Sequence, residues 1–131
     1  MSPAAPLPAE VEEFLREPHP AVVATLRADG SPHSVPTWYD WTDGLVLLNM
    51  DETRVRLGHL RRDPRVSLTV LDRESWYSHV SLLGRIERIE DDGDLADIDR
   101  LAVRYTGRPF RNREGRRVSA WMRPQRWHRW D

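Results

Sequence analysis

Apolar and polar positions along the first third of the chain predict one helix followed by three strands. After Pro8, apolar residues recur at helical spacing as far as Pro18, which predicts a helix over residues 9–17. Two Asp-Gly turns then separate runs that are rich in Val, Thr, Trp and Tyr. Such runs between tight turns are typical of a β-meander, and the predicted strands are 20–27, 32–41 and 45–50.

The pattern changes in the middle of the chain. The segment 53–62 is too charged for a buried strand and predicts a short helix, with Thr53 as its N-cap. Two strands are expected after it, over 65–72 and over 76–90. Gly84, in the middle of the longer strand, predicts a bulge or a barrel corner there.

Helical spacing returns near the C-terminus. It predicts a third helix over 94–106, with acidic residues early and arginines late, as the helix dipole prefers. A loop over 107–116 follows. The remaining residues predict either a last pair of strands or one strand bent at Pro124.

These elements indicate a single α+β domain over residues 1–131, with about six antiparallel strands and three helices. The short, mostly antiparallel connections favour a small β-barrel with appended helices. Residues 1–8, which are rich in Pro and Ala, are expected to be loose.

Composition narrows the possible functions. The chain carries 20 basic and 21 acidic residues, and this near balance argues against a nucleic-acid binder. Every basic residue is Arg, which codon usage in a GC-rich genome explains, so any anion site must be built from guanidinium groups. The lack of Cys excludes disulfides and thiolate chemistry, and the spacing of the His residues predicts no metal site. Without a signal peptide or an apolar span, the protein is expected to be cytoplasmic and to have no membrane partner.

Two segments carry the candidate chemistry. Pro32 and Pro36 interrupt a strand-like run, which indicates either an ordinary barrel edge or irregular backbone that meets a planar ligand. Arg54 and Arg56 flank the start of the second predicted helix, where backbone N–H groups already favour an anion. These arginines are candidates for a phosphate or carboxylate site, and a solvated helix face is the alternative.

Four stretches resemble the split β-barrel proteins of the pyridoxamine-phosphate-oxidase type, and in particular the deazaflavin (coenzyme F-420)-dependent reductases of actinobacteria. The stretches are FLREPHPAVVATLRADGSPHSVPTWYDW, TRVRLGHLRRDPRVSLTVLD, VSLLGRIERIED and IDRLAVRYTGRPF. They span most of the chain in the family's order, and LRRDPRVSL and the YTGRP ending are their more specific parts. The resemblance implies an FMN-binding-like split β-barrel fold.

The resemblance also implies a homodimer with cofactor sites at the subunit interface and a small-molecule substrate. The family's Arg-x-Lys pair, which holds the cofactor's phosphate and anionic tail, matches Arg54 and Arg56. The ring of the cofactor would lie along one segment of its own subunit, and the other subunit would offer side chains from a second segment. The cofactor-binding residues implied in this way are Val35, Pro36, Thr37, Trp38, Arg54, Val55, Arg56, Trp76, Tyr77 and His79. For His79, a polar strand residue that faces solvent is the alternative.

By this resemblance the function is hydride transfer from reduced coenzyme F-420 to an unsaturated or conjugated small molecule. The alternatives are an FMN-dependent enzyme on the same barrel and a non-enzymatic module that binds a flavin, a deazaflavin or haem. Arg56 stands where the family usually has Lys, and His59 where Asn is common, so both positions bear on the choice between the deazaflavin and FMN. The sequence indicates no dedicated acid, and no catalytic residue is assigned.

Overall fold

The computed structural model describes residues 2–3 and 6–131, which form eight strands and three helices. In chain order the elements are β1 (Ser2–Pro3), α1 (Ala9–Arg16), β2 (Ala21–Leu26), β3 (Pro32–Thr37), β4 (Asp40–Thr42), β5 (Leu45–Asp51), α2 (Val55–Arg62), β6 (Arg65–Leu71), β7 (His79–Asp91), α3 (Ala96–Thr106) and β8 (Arg117–Trp130).

The strands form one antiparallel sheet in the order β3-β2-β6-β7-β8-β5-β4, and β1 pairs with β8 outside this path. The α+β class, the antiparallel sheet and the three helices are thus confirmed, and they agree with a split β-barrel. β3 lies at one end of the strand order, so Pro32 and Pro36 occupy an edge strand, as expected. An edge tolerates proline because its outer ladder needs no N–H donors.

The longest strand pair, β7 with β8, is irregular around Gly84. The register shifts between Leu83 and Gly84, opposite Pro124. A Cβ on Gly84 would lie 2.1 Å from the carbonyl oxygen of Arg123, so only glycine lets the two backbones approach this closely. The predicted bulge is confirmed.

Alternating side chains place the core inside the curved sheet. In β2 the buried positions are Ala21, Val23 and Thr25, while the intervening residues are half-buried. β5 differs because nearly all of its residues are buried on both faces. One face joins the main core, and the other packs Leu47 against Ile98 and Leu101 of α3. Helix α3 therefore covers β5 from outside the main core.

Arg104 of α3 ties this helix to the end of α1. Its guanidinium group donates hydrogen bonds to the carbonyl oxygens of Leu15, Arg16 and Glu17, and to that of Tyr39. The last carbonyls of a helix lack partners within the helix and carry its negative dipole end. A cation with five fixed donors suits that position, so Arg104 closes the C-terminus of α1.

Several local predictions were wrong. Thr53 is not the N-cap of α2: Arg54 holds that position, and the Thr53 hydroxyl donates to Asp51 instead. The predicted strand 32–41 divides into β3 and β4, because its ends pair with different neighbours.

Two further differences concern the last strands. β7 begins at His79, so Trp76 and Tyr77 lie in the preceding turn rather than in the strand. The C-terminal residues form the single strand β8, which passes through Pro124 at the bulge. In the segment 1–8, predicted to be loose, residues 2–3 pair with β8, whereas residues 1, 4 and 5 lie outside the described part of the chain.

Candidate functional site

A cleft of about 580 Å³ opens where the end of β3, the start of α2 and one side of α3 meet. Its apolar surface comes mainly from α3 and the residues before β2, and its polar surface comes from α2, β5 and β8. The lining residues are Pro18, Pro20, Ala21, Pro36, Thr37, Trp38, Asn49, Arg54, Arg56, Ile98, Leu101, Tyr105, Phe110 and Arg117. The volume falls within the range of small-molecule and cofactor pockets.

Aromatic rings form one wall of the cleft. Trp38 and Tyr105 stack in parallel, with ring centroids 5.4 Å apart and 7° between the planes. Phe110 meets Trp38 edge-on at 6.3 Å. The Tyr105 hydroxyl donates to the carbonyl oxygen of His19 at 2.7 Å, and burial raises the pKa of this phenol. The Tyr105 ring is therefore held in place and its hydroxyl stays protonated. The wall offers a flat apolar surface to a planar ligand.

Three arginines line another part of the cleft: Arg54 at the N-cap of α2, Arg56 in its first turn, and Arg117 at the start of β8. Among residues 2–3 and 6–131, no carboxylate oxygen lies within 4.0 Å of their guanidinium nitrogens. Burial, together with the charges of Arg54 and Arg117, lowers the pKa of Arg56. Arginine stays charged at neutral pH despite such a shift. Asp51 and Asp92 act on Arg117 only from beyond this distance, so like charges that contact no carboxylate make this part of the cleft ready for an anion.

The structure brings five of the predicted site residues together in this cleft: Pro36, Thr37, Trp38, Arg54 and Arg56. The other five residues do not line it. Val35 packs against the main core, and the side chain of Val55 points outward with 65% exposure.

The predicted residues of the second segment lie apart from the cleft of their own chain. Trp76 and Tyr77 stack on one another at 4.8 Å in the turn before β7, with exposures of 69% and 66%. His79 is half-buried, and its Nδ1 lies 2.8 Å from the carbonyl oxygen of Tyr77. These residues can reach a cleft only if it belongs to another subunit.

Sequence reasoning missed nine of the lining residues, and the four of them that offer polar groups or aromatic rings are Asn49, Tyr105, Phe110 and Arg117. Tyr105 lies in the third predicted helix, where helical spacing indicates how the side chain packs but not that one face of its ring is exposed to the cleft. Phe110 ends the stretch IDRLAVRYTGRPF, which indicates the family but not a place in the cleft, and Arg117 follows a loop without a recognisable motif. Asn49 lies in an apolar run, and a single amide at an otherwise buried strand position was the one available signal.

His59 is buried on α2, and the described groups that contact it or act on its charge are neutral or cationic. Its Nδ1 lies 2.9 Å from the Thr25 hydroxyl, and its ring meets His33 edge-on at 5.3 Å. Burial, together with His33, Arg62 and Arg27, lowers the pKa of His59. The imidazole is therefore neutral at neutral pH and links α2 to β2.

The sequence matches the family model described as pyridoxamine 5'-phosphate oxidase over residues 7–131. The chain belongs to the pyridoxamine 5'-phosphate oxidase family. Because the match covers almost the whole chain, the resemblance seen in the sequence is confirmed. The comparison with curated proteins gave no match.

Solved structures of this family type share the fold. An F-420 reductase superposes with a TM-score of 0.84 at 25% identity, covering 93% of this chain and 98% of the other. A conserved hypothetical protein from Mycobacterium tuberculosis gives 0.75 at 26% identity, covering 100% and 89%. General stress protein 26 from Bacillus anthracis gives 0.70 at 18% identity, covering 93% and 95%, which bears on the fold alone. The similarity to an F-420-type reductase agrees with the resemblance found in the sequence.

The described part of the chain shows neither of two other kinds of feature, a membrane-spanning helix or a metal-binding group. Within the described residues, no helix is both long and apolar enough to cross a membrane. In the same part of the chain, His, Asp and Glu side chains form no group of three that is able to hold a metal ion. The guanidinium cluster and the aromatic wall are therefore the features from which a function is argued.

Proposed function

We propose that this protein is an oxidoreductase that binds coenzyme F-420 in the cleft and uses it to reduce an unsaturated or conjugated small molecule. One observation carries the proposal: the same cleft joins a wall of flat aromatic rings to three guanidinium groups that form no ion pair with the carboxylates of the described residues. A ligand that fits must be planar in one part and anionic in another. The deazaflavin coenzyme has both parts, and the similarity to an F-420 reductase adds support.

Different residues of the cleft would bind the anionic part and the planar ring of the cofactor. Arg54 and Arg56 would hold the phosphate and the acidic tail through charge-assisted hydrogen bonds. Trp38 would lie beside the ring, with Tyr105 supporting it from behind by parallel stacking. Burial of the ring against this wall keeps water from one of its faces.

When bound, a reduced deazaflavin supplies a hydride. The protein's part is to orient the substrate and shield the site. Tyr105 is not proposed as a proton donor, because its hydroxyl hydrogen is already donated to the carbonyl oxygen of His19 and burial raises its pKa. The proton that accompanies hydride is proposed to come from solvent.

The proposal includes a homodimer in which each subunit completes the partner's cleft. Trp76 and Tyr77 support the homodimer, because two adjacent large rings with exposures of 69% and 66% are more typical of an interface than of a monomer's surface. Leu83 and Trp130, 42% and 54% exposed, lie on the neighbouring strands β7 and β8. Size-exclusion chromatography with light scattering is expected to give twice the chain mass of 15.3 kDa. A monomer that binds cofactor tightly would exclude the shared site.

An FMN-dependent enzyme is the second candidate. The family description and Arg56 favour it, since a guanidinium fork at a position usually held by Lys suits a terminal phosphate with several acceptor oxygens. The same anion site and aromatic wall serve both cofactors, so the choice between them needs a binding measurement.

The experiment is a fluorescence titration of the purified protein with coenzyme F-420 and, separately, with FMN. We expect tighter binding of F-420. Arg54→Ala and Arg56→Ala should each weaken it by about 1.5–3 kcal/mol, roughly ten- to hundredfold, because each removes a charge-assisted bond. Arg61→Ala is the matched control, because it removes the same charge from an exposed position of α2 outside the cleft lining.

Three results would contradict the proposal. Tight binding of FMN with no affinity for F-420 would favour the second candidate, an FMN-dependent enzyme. Equal losses in Arg56→Ala and Arg61→Ala would mean that the helix contributes only general positive charge. Tight binding of F-420 without turnover of any conjugated acceptor would favour the non-enzymatic binding module.

A further inference from the structure

Arg117 is held at the edge of the cleft from two sides. Its Nε donates to the Oδ1 atom of Asn49 at 2.8 Å, and its guanidinium carbon lies 4.6 Å from the centre of the Phe110 ring. Within the described residues, only the Nε atom of this guanidinium group forms a hydrogen bond. The two terminal nitrogens are thus left for a ligand.

A buried network sets the orientation of Asn49. Its amide nitrogen donates to the Oδ2 atom of Asp92 at 3.1 Å and to the Ser119 hydroxyl at 3.0 Å. Asp92 is only 4% exposed, and its carboxylate accepts the backbone N–H groups of Asp97 and Ile98 in the first turn of α3. Because a carboxylate can only accept and a guanidinium can only donate, the amide nitrogen must face Asp92 and the amide oxygen must face Arg117.

The consequence depends on Asn49 being an amide and not a carboxylate. An Asp at this place would form an ion pair with Arg117 and offset its charge. The amide fixes the direction of the guanidinium group and leaves its charge uncompensated at contact distance. The side chain of Asn49 separates the buried carboxylate of Asp92 from Arg117. That carboxylate already accepts two backbone N–H groups of α3.

We infer that Arg117 is a third anion-binding residue of the cleft, positioned by Asn49, and that Arg54, Arg56 and Arg117 together select a ligand whose anionic end carries at least two negative charges. A phosphate monoester, or a phosphate together with an acidic tail, meets this requirement, and a single carboxylate does not. The inference deepens the proposed function and rests on it for the identity of the cofactor, but the anion site stands on the geometry alone.

The first test uses inorganic pyrophosphate as the ligand and isothermal titration calorimetry as the readout. Arg117→Met is expected to lower the affinity about tenfold or more, because one charge-assisted contact is lost. The matched control is Arg116→Met, which removes the same charge one residue earlier, where the side chain is exposed and pairs with Asp91 and Glu52. Equal affinities in the two variants would overturn the inference.

The second test separates positioning from support of the fold. Asn49→Ala keeps the charge of Arg117 but removes the bond that directs it. Affinity for coenzyme F-420 should fall severalfold while affinity for its phosphate-free deazaflavin core stays unchanged, so the ratio of the two affinities falls. A merely structural role would lower both affinities together and leave the ratio unchanged. If Asn49→Ala does not fold, the same ratio is measured in Arg117→Met and Arg117→Lys, of which only Lys should restore part of it.

These measurements keep the inference and the proposed function distinguishable. If pyrophosphate binding depends on Arg117 and the protein binds no deazaflavin, the anion site stands and the proposed function fails. If F-420 binds tightly and neither ligand responds to Arg117→Met, the proposed function stands and the inference fails.

Discussion

Gly84→Ala tests whether the close approach of β7 and β8 organises the sheet. The new Cβ would lie 2.1 Å from the carbonyl oxygen of Arg123, and at 3.0 Å from two further backbone atoms. These atoms belong to a paired strand and cannot rotate away. The strands must therefore separate by roughly 1 Å before the contact becomes tolerable.

The cost follows from two effects. Overpacking of a well-packed region costs about 1–3 kcal/mol, and loss of a ladder hydrogen bond adds about 0.5–1.5 kcal/mol. We expect the free energy of unfolding to fall by about 2–4 kcal/mol. At roughly 3–5 °C per kcal/mol for a chain of this size, the melting temperature should fall by about 6–20 °C.

The assay is urea unfolding followed by tryptophan fluorescence, with thermal unfolding by circular dichroism, both at one protein concentration. Gly58→Ala is the matched control, because nothing lies within 4 Å of its would-be Cβ in the exposed middle of α2. It should stabilise the protein by about 0.5–1 kcal/mol through helix propensity. If Gly84→Ala costs less than about 0.5 kcal/mol, steric approach at the bulge is not what requires glycine.

Three further predictions concern stability. Arg104→Met should lower the free energy of unfolding by about 2–4 kcal/mol, measured in urea, because the carbonyl oxygens at the end of α1 lose their cationic donor. A loss no larger than that caused by replacing an exposed arginine would refute the role of Arg104. Tyr39→Phe should cost only about 0.5–1.5 kcal/mol in the same assay, because Arg104 still serves the Glu17 carbonyl oxygen that loses the 2.8 Å hydroxyl bond. Since the pKa of His59 is lowered in the folded protein, only the unfolded chain takes up this proton as the pH falls below about 6.5, so stability should decrease there. His59→Asn should reduce this decrease in urea titrations between about pH 5 and 8, whereas an unchanged pH profile would show that His59 does not titrate as argued.

Much of the local structure could be predicted because its causes lie within a few residues. The turn at Asp29-Gly30 is one example: Asp29 accepts from the backbone and the hydroxyl of Ser31, and Gly30 adopts a φ of 85°. Periodicity located α1 and α3, and the charge of its segment located α2, each to within about two residues. Arg54 and Arg56 could be singled out because both belong to one helix start.

Local signals failed where a partner from elsewhere decided the outcome. Asp92 lies outside both the strand predicted over 76–90 and the helix predicted over 94–106, yet its carboxylate accepts from the first turn of α3 and directs Asn49. The predicted strand 32–41 divides because its beginning pairs with β2 and its end with β5. Neither outcome has a cause within the segment itself.

The sequence by itself determined the family, the elements and the arginine pair at the start of α2. Only the tertiary structure decided that Trp38 stacks on Tyr105 and that Arg117 bonds to Asn49, which is 68 positions away along the chain. The physical reason is that helix starts, turns and strand alternation arise from short-range backbone and solvation preferences. A binding cleft instead depends on which side chains the sheet register and α3 bring together, and no pattern within a single segment encodes that.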